Sequence, residues 1–150
     1  MISIQRSISI QAPPARIFAL INDFRYWESW SPWEKLDPNM ERTFSGSACG
    51  IGAIYAWKGK AGSGQMEIIT AAHATQILIQ LEITKPFEAQ NNVEFILQTS
   101  DDTTVLTWSM NGPKPYAAKL IGIFFNMDKY LGKDLEKGLL SLKVLAEVEA

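Results

Sequence analysis

Ile2-Ser3-Ile4-Gln5-Arg6-Ser7-Ile8-Ser9-Ile10-Gln11-Ala12-Pro13-Pro14-Ala15-Arg16-Ile17-Phe18 decides how the chain begins to fold. Ile2, Ile4, Ile8 and Ile10 share one parity, and Ser3, Gln5, Ser7 and Ser9 fill the other. That is the period of a strand with one face buried. Pro13-Pro14 ends the strand, and a proline near a helix start costs little because its missing N–H would be unpaired there. Ile17, Phe18 and Ile21 then give a short helix its apolar face. Residues 22–38 are dense in aromatic side chains, namely Phe24, Tyr26, Trp27, Trp30 and Trp33, interrupted by Asp23, Pro32 and Pro38. One or two further short helical turns and a loop are expected.

Over residues 40–111 short apolar segments alternate with turn signals. Glycines punctuate residues 46–52 and 59–64, and Asp101-Asp102 separates two strand patterns. Ile77, Ile79, Leu81 and Ile83 oppose Gln76, Gln80 and Glu82. Val93, Phe95 and Leu97 oppose Asn92, Glu94 and Gln98, and Leu106, Trp108 and Met110 oppose Thr107 and Ser109. Such runs joined by short turns predict an antiparallel meander with one solvated face. After Gly112-Pro113-Lys114-Pro115 the period changes. At 100° per residue, Leu120, Phe124, Met127, Leu131, Leu135, Gly138, Leu142 and Leu145 fall within an arc of about 80°. A long helix over about residues 117–147 follows. Gly122, Gly132 and Gly138 each cost such a helix roughly 1 kcal/mol relative to Ala, which points either to close packing or to room for a guest.

The totals exclude several function classes. The chain has 150 residues, with 14 Lys and Arg against 16 Asp and Glu. A net charge of -2 offers no basic patch for phosphate neutralisation, so no nucleic-acid partner is expected. Cys49 is the only cysteine and His73 the only histidine, which removes an internal disulfide and the multi-cysteine or His-rich metal sites. Neither a metal nor a cofactor is called for. Apolar runs such as residues 17–21 fall far short of the roughly 18 residues of a membrane span. Residues 1–6 lack a basic start followed by an apolar block, so the expectation is one soluble domain over residues 1–150, located in the cytoplasm.

Strand, short helices, glycine-punctuated antiparallel meander and long terminal helix, in that order, resemble the START-like (helix-grip, SRPBCC) superfamily, in particular its polyketide cyclase/dehydrase and lipid-transport branch. Residues 7–18 look like the family's opening strand, Ala-Pro turn and first helix. Trp30-Ser31-Pro32-Trp33, Gly50-Ile51-Gly52-Ala53, Thr103-Thr104-Val105-Leu106-Thr107-Trp108 and Gly132-Lys133-Asp134-Leu135-Glu136-Lys137-Gly138-Leu139 sit where its members carry similar text. The resemblance spans nearly the whole chain and implies an α+β fold: a curved antiparallel sheet wrapped around the C-terminal helix, with two short helices after the first strand. It also implies an apolar cavity between sheet and helix, but not the occupant.

Tyr55, Trp57, Met66, Trp108, Met110, Phe124 and Met127 lie on strands or on the helix stripe that should face the interior. They are the candidate ligand-binding residues, since aromatic and Met side chains offer large, adaptable apolar contact; the competing reading is that they fill the core. Tyr55 or Thr107 would orient a ligand. The Trp27, Trp30 and Trp33 series is either a lid or a cluster pinning the short helices to the sheet. His73, in Ala71-Ala72-His73-Ala74-Thr75, reads as a turn histidine rather than a base. Cys49 reads as a small apolar residue, and Gly62-Ser63-Gly64 lacks the spacing of a phosphate loop. No catalytic residue can be nominated. The leading reading is a domain that binds or carries a hydrophobic small molecule such as a lipid, polyketide or aromatic metabolite. Its alternatives are a cyclase/dehydrase-type enzyme using the same cavity, or a co-chaperone-like domain with a protein partner.

Overall fold

The computed structural model describes residues 2–34, 39–60, 62–85, 88–112 and 124–148, with backbone alone at Ile2 and at residues 124–130. Strand β1, Ile2–Ile10, is followed by helix α1, Pro14–Asn22, and a 3₁₀ turn, Phe24–Ser29. Pro14 opens α1, and Ile17, Phe18 and Ile21 are its buried side, as their spacing requires. The Asp23 carboxylate caps the 3₁₀ turn by accepting from the Arg25 N–H at 3.0 Å. Six strands then follow: β2 (Glu41–Gly46), β3 (Ala53–Gly59), β4 (Gly62–Ala72), β5 (Gln76–Lys85), β6 (Ala89–Ser100) and β7 (Thr103–Gly112). All pair antiparallel in one seven-stranded sheet, ordered β1-β7-β6-β5-β4-β3-β2. Helix α2, Phe124–Val148, closes the described chain. The expected helix start, residues 117–123, lies outside the described residues.

The strand parities hold where they were legible. Ile77, Ile79 and Leu81 of β5, Val93, Phe95 and Leu97 of β6, and Leu106, Trp108 and Met110 of β7 are all buried. Register explains their meeting: Phe95 stands opposite both Ile77 and Trp108, and Val93 opposite both Ile79 and Met110. The two-residue turn at Asp101-Asp102 is made by a left-handed Asp101, φ 57°. Asp tolerates that conformation better than most side chains.

α2 lies against β1, β7 and α1. Leu135, Leu139, Leu142 and Ala146 are its most deeply buried residues, with Leu131 and Leu145 half-buried beside them. Polar contacts fix its last turns: Arg16 donates to the Ala146 carbonyl at 3.2 Å, Lys143 Nζ to the Ser9 carbonyl at 3.0 Å, and the Gln11 N–H to Glu147 at 2.8 Å. The two described helix glycines permit close packing rather than leaving room. A methyl at Gly132 would collide with the Arg6 guanidinium, and one at Gly138 would sit 2.7 Å from Cζ3 of Trp108. The packed Trp108 ring cannot give way, so Gly138 excludes a side chain, whereas at Gly132 the flexible Arg6 side chain would have to move aside.

Candidate functional site

A cavity of about 340 Å³ opens among β3, β4, β5, β6, β7, the aromatic segment after α1, and α2. The sheet supplies Tyr55 and Trp57 from β3, Met66 from β4, Leu81 and Ile83 from β5, Val93 from β6, and Trp108 and Met110 from β7. Trp27, Ser31, Trp33, Glu34 and Met40 form the wall toward the aromatic segment, and Leu131 is contributed by α2. Strand alternation explains the apolar wall: residues 55 and 57, 81 and 83, and 108 and 110 are each two apart and so share the inward face.

Polar chemistry enters at Glu34. Its side chain is only 5% exposed, and both carboxylate oxygens are engaged. Oε2 accepts from Arg42 Nε at 2.6 Å, and Oε1 accepts from the Tyr55 phenol at 2.5 Å. Arg42 also donates to the Glu34 and Met40 carbonyls, at 3.1 and 3.4 Å, which draws β2 against the aromatic segment. A buried charge is tolerable only when paired and hydrogen-bonded in this manner. The Arg42 guanidinium is pushed upward by its hydrogen bond to Glu34. The Tyr55 phenol is raised well above its ordinary value, first by burial and then by donating to the Glu34 carboxylate, which would repel a phenolate.

That shift predicts an alkaline signature. The folded pKa exceeds the unfolded one, so the stabilisation is complete below the ordinary tyrosine value of about 10 and is lost as pH climbs through the folded-state value. The tyrosinate absorbance difference between wild type and Tyr55→Phe should show no ionisation near pH 10 while the protein is folded. A difference titration centred at the ordinary value would mean the phenol is not engaged with Glu34.

The tryptophans divide the work. Trp27 and Trp30 are buried, 4.5 Å apart between ring centroids, and both meet the Phe95 ring edge-on. Their N–H groups donate to the Ile21 and Leu20 carbonyls, at 2.9 and 3.0 Å. The N–H bonds tie the segment to α1, and the ring contacts with Phe95 of β6 hold it to the sheet. Trp33 donates to Asp134 of α2 at 3.2 Å and forms cavity wall. Trp108, 1% exposed, stacks on Phe95 at 5.0 Å and makes T-shaped contacts with Trp30 and Trp33. Its buried Nε1 has no acceptor among the described residues.

Of the residues proposed from sequence, Tyr55, Trp57, Met66, Trp108 and Met110 border this one cavity. The side chains of Phe124 and Met127 lie outside the described residues. Thr107 does not belong with them: its hydroxyl pairs with that of Ser7 at 2.9 Å on the outer face, because its parity is opposite to Trp108. His73 is exposed in the β4–β5 turn, its ring edge-on to Phe18 at 5.4 Å. Cys49 is exposed rather than packed as a small apolar residue, since it falls in the bend that follows β2. Among the described residues no group of three or more His, Cys, Asp and Glu converges to hold a metal ion, and no helix is long and apolar enough to cross a membrane. The reading of the sequence missed Glu34 and Arg42. They stand eight residues apart with no periodic pattern linking them, and an acidic residue directly after Trp30-Ser31-Pro32-Trp33 was the only available hint.

Comparison with known proteins accords with this architecture. No curated protein matches the chain. Among solved structures, protein CV1439 from Chromobacterium violaceum is 14% identical, with a TM-score of 0.72 over 97% of this chain and 96% of that one. The Aha1 dimer from Colwellia psychrerythraea is 16% identical, with a TM-score of 0.69 over 99% and 98% of the two chains. CalU16 from Micromonospora echinospora is 17% identical, with a TM-score of 0.63 over 95% and 73%. At these identities the likeness is one of fold. A family model described as polyketide cyclase / dehydrase and lipid transport matches residues 1–147, and with the sheet curved beside a long terminal helix and the short helices after β1, the chain belongs to that family, within the START-like helix-grip superfamily.

Proposed function

We propose that the protein binds a hydrophobic small molecule in the cavity bordered by Tyr55, Trp57, Met66, Trp108 and Met110, and that it carries or sequesters this ligand without chemical change. The observation that carries this reading is the cavity itself. Its volume of about 340 Å³ falls within the roughly 300–1,000 Å³ range of small-molecule sites, and aromatic, Met and aliphatic side chains dominate its wall. Apolar burial would drive binding at roughly 25 cal/mol per Å². The acidic group in the wall does not favour catalysis, because Glu34 already accepts from both Arg42 and Tyr55 and has a structural task.

The test is binding of the apolar fluorophore N-phenyl-1-naphthylamine, followed by dye emission and tryptophan quenching. Wild type should bind it, and Met110→Trp, which fills volume at the cavity wall, should weaken binding at least about tenfold while costing roughly 1–3 kcal/mol of stability by overpacking. Equal binding to both proteins would place the dye elsewhere and defeat the reading. Native mass spectrometry of protein purified from its own host would then identify a co-purifying lipid, polyketide or aromatic metabolite.

A further inference from the structure

We infer that the cavity takes an amphiphile with a single anionic head, a long-chain carboxylate, whose apolar chain runs inward toward Trp27 and Trp108 and whose head stays in water beside the ammonium of Lys85 at the mouth. This rests on the binding reading above and adds the charge and the direction of the ligand.

Two strands show where the cavity meets solvent. Leu81, Ile83 and Lys85 alternate along β5, and all three border the cavity. Leu81 is buried, Ile83 half-buried and Lys85 exposed. The same gradient runs along β3, from buried Tyr55 through half-buried Trp57 to Gly59 at the rim. Gly59 pairs with Gly62 of β4, and neither brings a side chain to that part of the rim. The mouth therefore lies where β3 turns into β4 and β5 ends, and the closed end lies at the buried Trp27, Val93 and Trp108.

Charge distinguishes the two ends. Glu34 and Lys85 are the charged residues among the described lining. Glu34 is buried and already matched by Arg42 at 2.6 Å, so it offers a ligand no free cation. Lys85 makes no ion pair among the described residues. Lys58, on the opposite parity of β3 from Trp57, stands across from Glu41 of β2 and belongs to the outer face. A lysine at such a boundary lays its methylenes along apolar surface and keeps its ammonium in water. An anionic head carried inward would lose its hydration on the side of the Glu34 carboxylate, a large cost. Left at the mouth, it remains hydrated and meets an uncompensated positive charge, whereas a cationic head would meet a like one.

The experiment is displacement of N-phenyl-1-naphthylamine by dodecanoate, 1-dodecanol and dodecylammonium at about pH 8, where carboxylate and ammonium are both charged. Wild type, Lys85→Gln and Lys85→Glu are compared; Lys85 is exposed at a strand end, so both variants should keep the fold. The affinity ratio of dodecanoate to dodecanol should fall about threefold in Lys85→Gln and about tenfold in Lys85→Glu, the scale of one solvent-screened ion pair lost and then reversed. Dodecylammonium should gain affinity in Lys85→Glu, and added salt should shrink the dodecanoate preference of wild type. Bound [1-¹³C]dodecanoate should titrate no higher than the free acid, because water and Lys85 both favour the carboxylate. A raised carboxyl pKa would place the head in the interior. That result, a dodecanoate-to-dodecanol ratio equal in the three proteins, or failure of dodecanoate to displace the dye would overturn this inference while leaving the binding site standing. Dye binding indifferent to Met110→Trp would remove the site and the inference together.

Discussion

Leu135→Asp should abolish the folded state. Leu135 is completely buried in α2, where the terminal helix meets the sheet. An aspartate there would be a charge with no partner, and several kcal/mol of burial penalty would add to the lost packing. A domain's whole stability is about 5–15 kcal/mol, so little or nothing would remain. Leu135→Ala separates packing from charge and should cost about 2–5 kcal/mol, the transfer term plus the cavity it leaves. Urea unfolding followed by far-UV circular dichroism measures both variants. A Leu135→Asp protein with the wild-type midpoint would mean that α2 does not pack as described. Leu131, one turn earlier, is a poorer probe of the core because it is half-buried at the cavity wall, where a substitution would alter binding as well as stability.

Glu34→Leu should cost about 3 kcal/mol, the lower part of the range for breaking a buried ion pair, because the Arg42 side chain keeps 20% of its exposure and water can reach part of it. Two donors lose their acceptor at once, Arg42 Nε and the Tyr55 phenol. Glu34→Gln retains an amide oxygen for one of them and should lose clearly less. The double variant Glu34→Leu/Arg42→Leu removes the stranded cation and should recover part of the loss, giving a coupling well above the few tenths of a kcal/mol expected of independent sites. Chemical denaturation of wild type, Glu34→Leu, Arg42→Leu and the double variant closes this cycle. Additive losses would show that the 2.6 Å contact carries no net coupling, and a Glu34→Leu variant as stable as wild type would show that the carboxylate is not needed to hold β2 to the aromatic segment.

The parts of the fold read from the sequence were those governed by local period. A two-residue period fixes which side chains of β1, β5, β6 and β7 share a face, and a 3.6-residue period does the same for α2, so Ile77, Phe95, Trp108 and Leu135 could be assigned to the interior before any neighbour was known. Turn chemistry behaved likewise at Pro13-Pro14 and Asp101-Asp102. Period says nothing of distance across the interior. Whether Trp57, Met66 and Met110 would interlock or stand back around 340 Å³ of space depended on the bulk of every side chain around them and on the path of α2. The glycines of α2 were ambiguous for the same reason, and proved to be contacts for Arg6 and Trp108.

By itself, then, the sequence determined the order of elements, the inward faces and the absence of the cysteines and histidines that many metal sites require, because each is a property of neighbouring residues or of a count. Only the tertiary structure decided that Glu34, Arg42 and Tyr55 form one buried network, that Thr107 faces away from the cavity wall beside Trp108, and that the N–H of Trp108 is left without an acceptor among the described residues while three other tryptophans spend theirs. Hydrogen bonds and desolvation act over about 3 Å, and residues far apart in the chain come within that distance only when the whole sheet and its helix are in place.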